Sequence, residues 1–121
     1  MDKRVLIIED DMDISKILAL CFKAAGFEVH QALDAIYAIK EALEFKPDVI
    51  TLDLMLPGGG GWGTLRNLKR SILTSSIPVI IYTGMEDDDR KKEVEALGID
   101  AYFQKPEDHQ KIVEKAMELL K

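Results

Sequence analysis

The chain has 121 residues, 47% hydrophobic and 31% charged, with a net charge of −6 and a pI near 4.9. That is one domain's worth of chain, able to bury about two-thirds of its surface without metal or disulfide, and its acidic balance argues against the basic patch of a nucleic-acid-binding surface. No apolar run approaches the ~18 residues of a membrane span, no signal peptide precedes the first apolar run, and the lone Cys21 leaves no internal disulfide. The expectation is a single cytoplasmic domain over residues 1–121, without an output domain, membrane contact or direct nucleic-acid binding.

Val5 to Ile8 is a continuous apolar run, the pattern of a strand covered on both faces. Glu9, Asp10 and Asp11 follow at once, and Asp11 or Asp13 can cap the helix behind them. In that helix Ile14, Ile17, Leu18, Cys21 and Ala25 recur on one face, and Gly26 stands at its C-terminal end. Cys21 on this face reads as a small core residue and not as a nucleophile. Phe27 to His30 is a short alternating strand. Asp34 then caps a helix with the apolar stripe Ile36, Ile39, Ala42 and Leu43, stopped by Pro47.

Asp48 to Asp53 is a third strand, rich in β-branched residues, with a carboxylate at its carboxyl end. Pro57, the glycines 58 to 61 and Gly63 read as a loop, Trp62 as a partly buried helix start, and Leu65, Leu68 and Ile72 as a short apolar stripe. Pro78 to Tyr82 is the fourth strand, ending at Thr83-Gly84. Glu86 to Leu97 forms a helix with an acidic first turn and a thin apolar face of Val94, Ala96 and Leu97. Ala101 to Phe103 is the fifth strand, ending at Gln104-Lys105-Pro106. Asp108 to Leu120 is the last helix, with Ile112, Val113, Ala116, Leu119 and Leu120 inward. His30 and His109 read as surface histidines.

Strand and helix alternate five times. Each connection carries a helix, so the strands are expected to be parallel with right-handed crossovers. The fold class is a doubly wound, three-layer α/β domain of five βα units.

In a parallel sheet all carboxyl ends lie on one edge, where ligands bind at a switch point of strand order. The first strand ends in Glu9-Asp10, the third in Asp53, the fourth in Thr83 and the fifth in Lys105. Each has a plain alternative: the acids as helix caps, Asp53 and Thr83-Gly84 as turn residues, Lys105 as a solvated lysine. All four strand ends conforming together argues for chemistry. Three clustered carboxylates repel unless a cation sits among them, and oxygen ligands with an open position suit Mg2+. Thr83 and Lys105 are then placed to bind phosphoryl oxygens, and Asp53 is the nucleophile for an acyl-phosphate.

These stretches resemble the response-regulator receiver domains of bacterial two-component signalling over essentially the whole chain. They are Val5 to Asp11, Asp48 to Pro57, Gly61, Thr83-Gly84 and Ala101 to Pro106. The resemblance implies the strand order 2-1-3-4-5 and phosphorylation of Asp53 by a sensor histidine kinase or phosphotransfer protein. It implies Mg2+ held by Asp10, Asp53 and the Met55 carbonyl, with Glu9 acting through water. It also implies phosphoryl oxygens bound by Thr83 and Lys105, a cis peptide before Pro106, and a switch in which Tyr102 moves with Thr83. The output would be contact with a downstream protein or a second copy through the fourth helix, fifth strand and fifth helix. Met55 and Met85 fall where the family flanks the hydrolytic water, which implies slow self-dephosphorylation. Three positions depart from the family's habit: Gly60 where Asp, Asn or Ser is frequent, Ala35 where Gly is frequent, and Glu107 where an apolar residue is common.

Two other classes compete. An aspartyl-phosphate phosphatase of similar fold would need a second Asp where Met55 stands. A flavin carrier would need a phosphate-cradling loop where Glu9-Asp10-Asp11 would repel the flavin's phosphate.

Overall fold

The structure, a computed structural model, describes residues 2–57 and 60–121. Five parallel strands, β1 (Arg4–Ile8), β2 (Glu28–Ala32), β3 (Val49–Leu52), β4 (Val79–Thr83) and β5 (Ala101–Gln104), form one sheet in the order β2-β1-β3-β4-β5. Five helices connect and cover them: α1 (Met12–Ala24), α2 (Ala35–Phe45), α3 (Gly60–Arg70), α4 (Asp88–Ala96) and α5 (His109–Leu119). The chain goes from β1 out to the edge strand β2 and then crosses back to place β3 on the other side of β1. The switch point therefore lies between β1 and β3, as the resemblance leads one to expect. Among the described residues, no helix is long and apolar enough to cross a membrane.

Side chains of a strand alternate between the two faces of a sheet, and here they fill two separate cores. Leu6, Ile8, Ile50, Leu52, Val79 and Ile81 pack under α2, α3 and α4. Val5, Ile7, Val49, Ile80 and Tyr82 pack under α1 and α5. Four helices begin on an aspartate whose side chain accepts main-chain N–H groups that have no partner in the first turn: Asp11, Asp34, Asp87 and Asp108. The cap at Asp87 places the start of α4 two residues after the expected Glu86.

Several apolar stripes differ from their sequence expectation. In α1 the buried set is Ser15, Leu18, Ala19 and Phe22, while Ile17 is exposed. Ile17 to Phe22 are all apolar, so hydrophobicity alone leaves the facing of Ile17 open, while Ile14, Cys21 and Ala25 pack against the core as expected. Ser15 can be buried because its hydroxyl accepts a 2.7 Å hydrogen bond from the Gln31 side chain. In α2, Ala38, Ala42 and Phe45 face the sheet, and Ile36 and Leu43 face outward. Small alanines let the helix approach closely, and that approach decides the phase over side-chain bulk. Ile72 lies beyond α3 and is 90% exposed, beside Leu73 at 74%. The turn that presents them is anchored by buried Thr74, whose hydroxyl donates to the Leu68 carbonyl at 2.7 Å.

The glycine segment is the largest change. Gly60 to Gly63 are the first turn of α3, not a loop; the loop expected at Gly58 and Gly59 lies outside the described residues. Gly61 permits a close approach: a Cβ there would stand 2.3 Å from the Leu54 carbonyl oxygen. A Cβ on Gly60 would stand 2.9 Å from the Cβ of Ala35 at the start of α2. The departures at positions 35 and 60 are therefore in contact with each other.

Candidate functional site

The carboxyl edge of β1, β3 and β5 brings Glu9, Asp10, Asp53 and Lys105 together. Main-chain hydrogen bonds carry the sheet one residue beyond the strands and fix these positions: Glu9 N–H donates to Ala32 O, Asp53 N–H to Ile8 O, and Lys105 N–H to Thr83 O. Glu9, Asp10 and Asp53 each present a carboxylate oxygen within 4.8 Å of the others. Glu9 and Asp53 are buried and Asp10 is exposed, so the cluster opens to solvent on one side.

Lys105 Nζ lies 2.6 Å from Glu9 Oε1 and 2.8 Å from Asp53 Oδ2. The other Asp53 oxygen accepts the Met55 N–H at 2.9 Å, and the other Glu9 oxygen accepts the Asp11 N–H at 3.2 Å. Burial pushes the Glu9 carboxyl up to about 7, against the lowering effect of Lys105 and the Asp11 N–H. Burial would lower the Lys105 ammonium, but its bonds to Asp53 and Glu9 outweigh that and hold it above its ordinary value. Three carboxylates thus face one ammonium, a local excess of negative charge with oxygen donors only. Such a set fits a hard divalent cation, and Asp10 makes no ion pair among the described residues.

Thr83 ends β4 fully buried, and its hydroxyl oxygen accepts the Met85 N–H at 3.4 Å. Tyr102, in β5, is half-buried and donates its hydroxyl to the Met85 carbonyl at 3.1 Å. Burial, followed by the nearby Asp53 charge, raises its phenol. Thr83 and Tyr102 therefore meet through one residue, Met85, and neither joins the carboxylate cluster directly. The Lys105-Pro106 peptide is cis. Met55 is exposed at the rim.

The family model for the response regulator receiver domain matches residues 5–117. The chain belongs to that family. The receiver domain is 36% identical to the DNA-binding dual master transcriptional regulator RpaA of Synechocystis, over 98% of this chain and 49% of the relative. It is 34% identical to the phosphate regulon transcriptional regulatory protein PhoB of Pseudomonas aeruginosa, over 98% of this chain and 52% of the relative. The chain thus spans about half the length of the curated relatives it matches. Among solved structures, the signal receiver domain of a DNA-binding response regulator from Colwellia psychrerythraea superposes with a TM-score of 0.89 at 30% identity, covering 98% of both chains. A CheY-like receiver domain from Methanospirillum hungatei gives 0.92 at 26% identity, covering 99% of this chain and 94% of that one. Receiver domains are phosphorylation-dependent switches and not classical enzymes. They interact with histidine kinases or phosphotransfer proteins and generally bind Mg2+ at an acidic pocket.

Two side chains near the site carry no motif signal. Tyr82 is buried one residue before Thr83, yet its hydroxyl reaches His109 and Glu107 across the sheet edge. The only clue in the sequence is a tyrosine in an apolar strand, whose hydroxyl needs a partner. His109, expected at the surface, is half-buried against Tyr82, and burial, then Lys105, lower its imidazole against the opposing Asp108. His30 does lie at the surface, stacked on Phe45 with ring centroids 3.7 Å apart.

Proposed function

We propose that Asp53 is the phosphoacceptor of this receiver domain. Its carboxylate oxygen attacks the phosphorus of a kinase or phosphotransfer protein's phosphohistidine; the P–N bond breaks, the imidazole leaves and takes up a proton, and an acyl-phosphate forms. The observation that carries this reading is the Lys105 ammonium, 2.8 Å from Asp53 and 2.6 Å from Glu9. It neutralises the carboxylate before transfer and is in place to meet phosphoryl oxygens after it. Thr83, at the end of the neighbouring strand, is proposed to bind another of those oxygens.

Asp10 and Asp53, with the Met55 carbonyl, are the proposed ligands of Mg2+, with Glu9 acting through water; the close carboxylate oxygens support that set. When bound, Mg2+ supplies charge neutralisation for the transferring group. The catalytic share of the chain is its own phosphorylation from the donor and a slow self-dephosphorylation. Met55 and Met85 leave no strong hydrogen-bonding group to orient a hydrolytic water.

The proposed output is contact with a downstream protein or a second copy through α4, β5 and α5, with Thr83 and Tyr102 as the switch pair. Direct nucleic-acid contact by residues 1–121 is not part of this reading, and the domain is taken as one receiver unit with no output domain within it. The test is incubation with Mg2+ and a small phosphodonor, followed by intact-mass analysis. The parent should gain one phosphoryl group and Asp53→Asn none while remaining folded; equal incorporation by the two would refute the assignment.

A further inference from the structure

Lys105 is the last residue the sheet holds before the chain leaves it. Parallel pairing of β4 with β5 ends at Thr83 and Gln104. After the Lys105 N–H has bonded to Thr83 O, Pro106 offers no N–H, and Asp108 N–H bonds to the adjacent Glu107 side chain. Backbone groups must find partners, and among the described residues the Glu107 N–H finds the Tyr82 hydroxyl, at 3.4 Å. The same oxygen lies 3.4 Å from the Glu107 carbonyl and 3.0 Å from His109 Nε2. The phenol also passes beneath the functional ammonium: Lys105 Nζ is 5.5 Å from the ring centroid, within cation–π range. His109 closes the arrangement edge-on, with ring centroids 5.5 Å apart at 88°.

We infer that Tyr82 is a positioning residue for phosphoryl transfer, bracing the Lys105–His109 segment from the buried strand β4 so that the Lys105 ammonium is held over Asp53 and Glu9. The ring supports the charge from below, and the hydroxyl ties down Glu107 and His109, one and three residues after Pro106. The departure at Glu107 fits this role. Where an apolar side chain would anchor the segment by packing, here Glu107 is held through its main chain, by a hydroxyl that β4 supplies. The hydroxyl has one proton to give, to the Glu107 carbonyl or to His109, and its oxygen accepts the Glu107 N–H. The brace and the switch also occupy opposite faces: Tyr82 packs with the α1/α5 core and Tyr102 with the core under α2, α3 and α4. Thr83 follows Tyr82 directly, and the two neighbours point to opposite faces of β4.

This inference rests on the phosphoacceptor reading of Asp53. Its test is a double-mutant cycle on the rate of Asp53 phosphorylation by a small phosphodonor with Mg2+. Tyr82→Phe keeps the ring and its packing and removes only the hydroxyl. It should slow phosphorylation about threefold to tenfold while thermal unfolding and the Mg2+ titration stay near those of the parent. In a Lys105→Met background the same substitution should change the residual rate by less than about twofold, because a brace without its ammonium has nothing to position. A merely structural loss would carry through to both backgrounds. The affinity for beryllofluoride with Mg2+, an acyl-phosphate mimic read by Trp62 fluorescence, gives the same four-way comparison without turnover. Equal rates for the parent and Tyr82→Phe, or an equal loss in the Lys105→Met background, would overturn the brace alone. A parent that takes no phosphoryl group at Asp53 would overturn the underlying reading instead.

Discussion

At the scale of single residues, Gly60 and Ala35 show how two departures from a family's habit can be one feature. Both depart from what the family resemblance leads one to expect, and they meet across a contact only 2.9 Å wide for a Cβ on Gly60. Gly60→Ala, at the first residue of α3, should gain less than the ~1 kcal/mol of an interior helix position and lose about 1–3 kcal/mol to overpacking. In an Ala35→Gly background the overpacking should vanish and the substitution become neutral or favourable. Urea unfolding of the four proteins would show a coupling of at least about 0.5 kcal/mol, and strict additivity would refute the contact's importance. The sequence shows both unusual residues but not that they touch, because their meeting depends on how α2 and α3 pack. The same limit hides Tyr82: its partners lie 25 and 27 residues away, joined by topology and by no motif.

At the scale of elements, α4 is the least anchored helix. Val94 is its only buried residue, whereas α5 buries Ile112, Val113 and Ala116. Its other ties to its neighbours run through cations over aromatic faces: Arg90 over Trp62 at 5.4 Å and Lys91 over Tyr102 at 4.9 Å. At exposed sites such contacts contribute about 0.5–1 kcal/mol, too little to fix a helix against a competing arrangement. Amide hydrogens of α4 should exchange faster than those of α5, and a stable phosphate mimic should shift resonances along residues 86 to 104 as well as around Asp53. Shifts confined to Asp53 would contradict coupling through Met85. This thinness was legible in the sequence, since so few apolar residues occur between Glu86 and Leu97. The face of α1 was legible except at Ile17, since Ile14, Leu18, Cys21 and Ala25 pack in the α1/α5 core; in α2, Ile36 and Leu43 turn outward because side-chain size and packing distance set the phase.

At the scale of the whole molecule, the strand ends made the site legible. Alternating elements predict a parallel sheet, a parallel sheet gathers its carboxyl ends, and Glu9, Asp10, Asp53, Thr83 and Lys105 then fall on one edge. What the order of residues could not show is that Lys105 bridges both buried carboxylates while Asp10 stays open to solvent. The domain's time constant should follow from the same rim. With thioethers at Met55 and Met85, purified phosphoprotein should decay slowly, and Met55→Asn with Met85→Glu should speed the decay by about tenfold to a hundredfold. An unchanged decay in the double mutant would exonerate the methionines.

The division of the interior into two cores on opposite faces has an evolutionary consequence. Substitutions accumulating under α4 repack one side of the sheet while the α1/α5 side, with Tyr82 in it, keeps its own contacts. Either face can therefore change its packing while the other holds the strands in register. Sequence change on the two faces can proceed at different rates within one small domain.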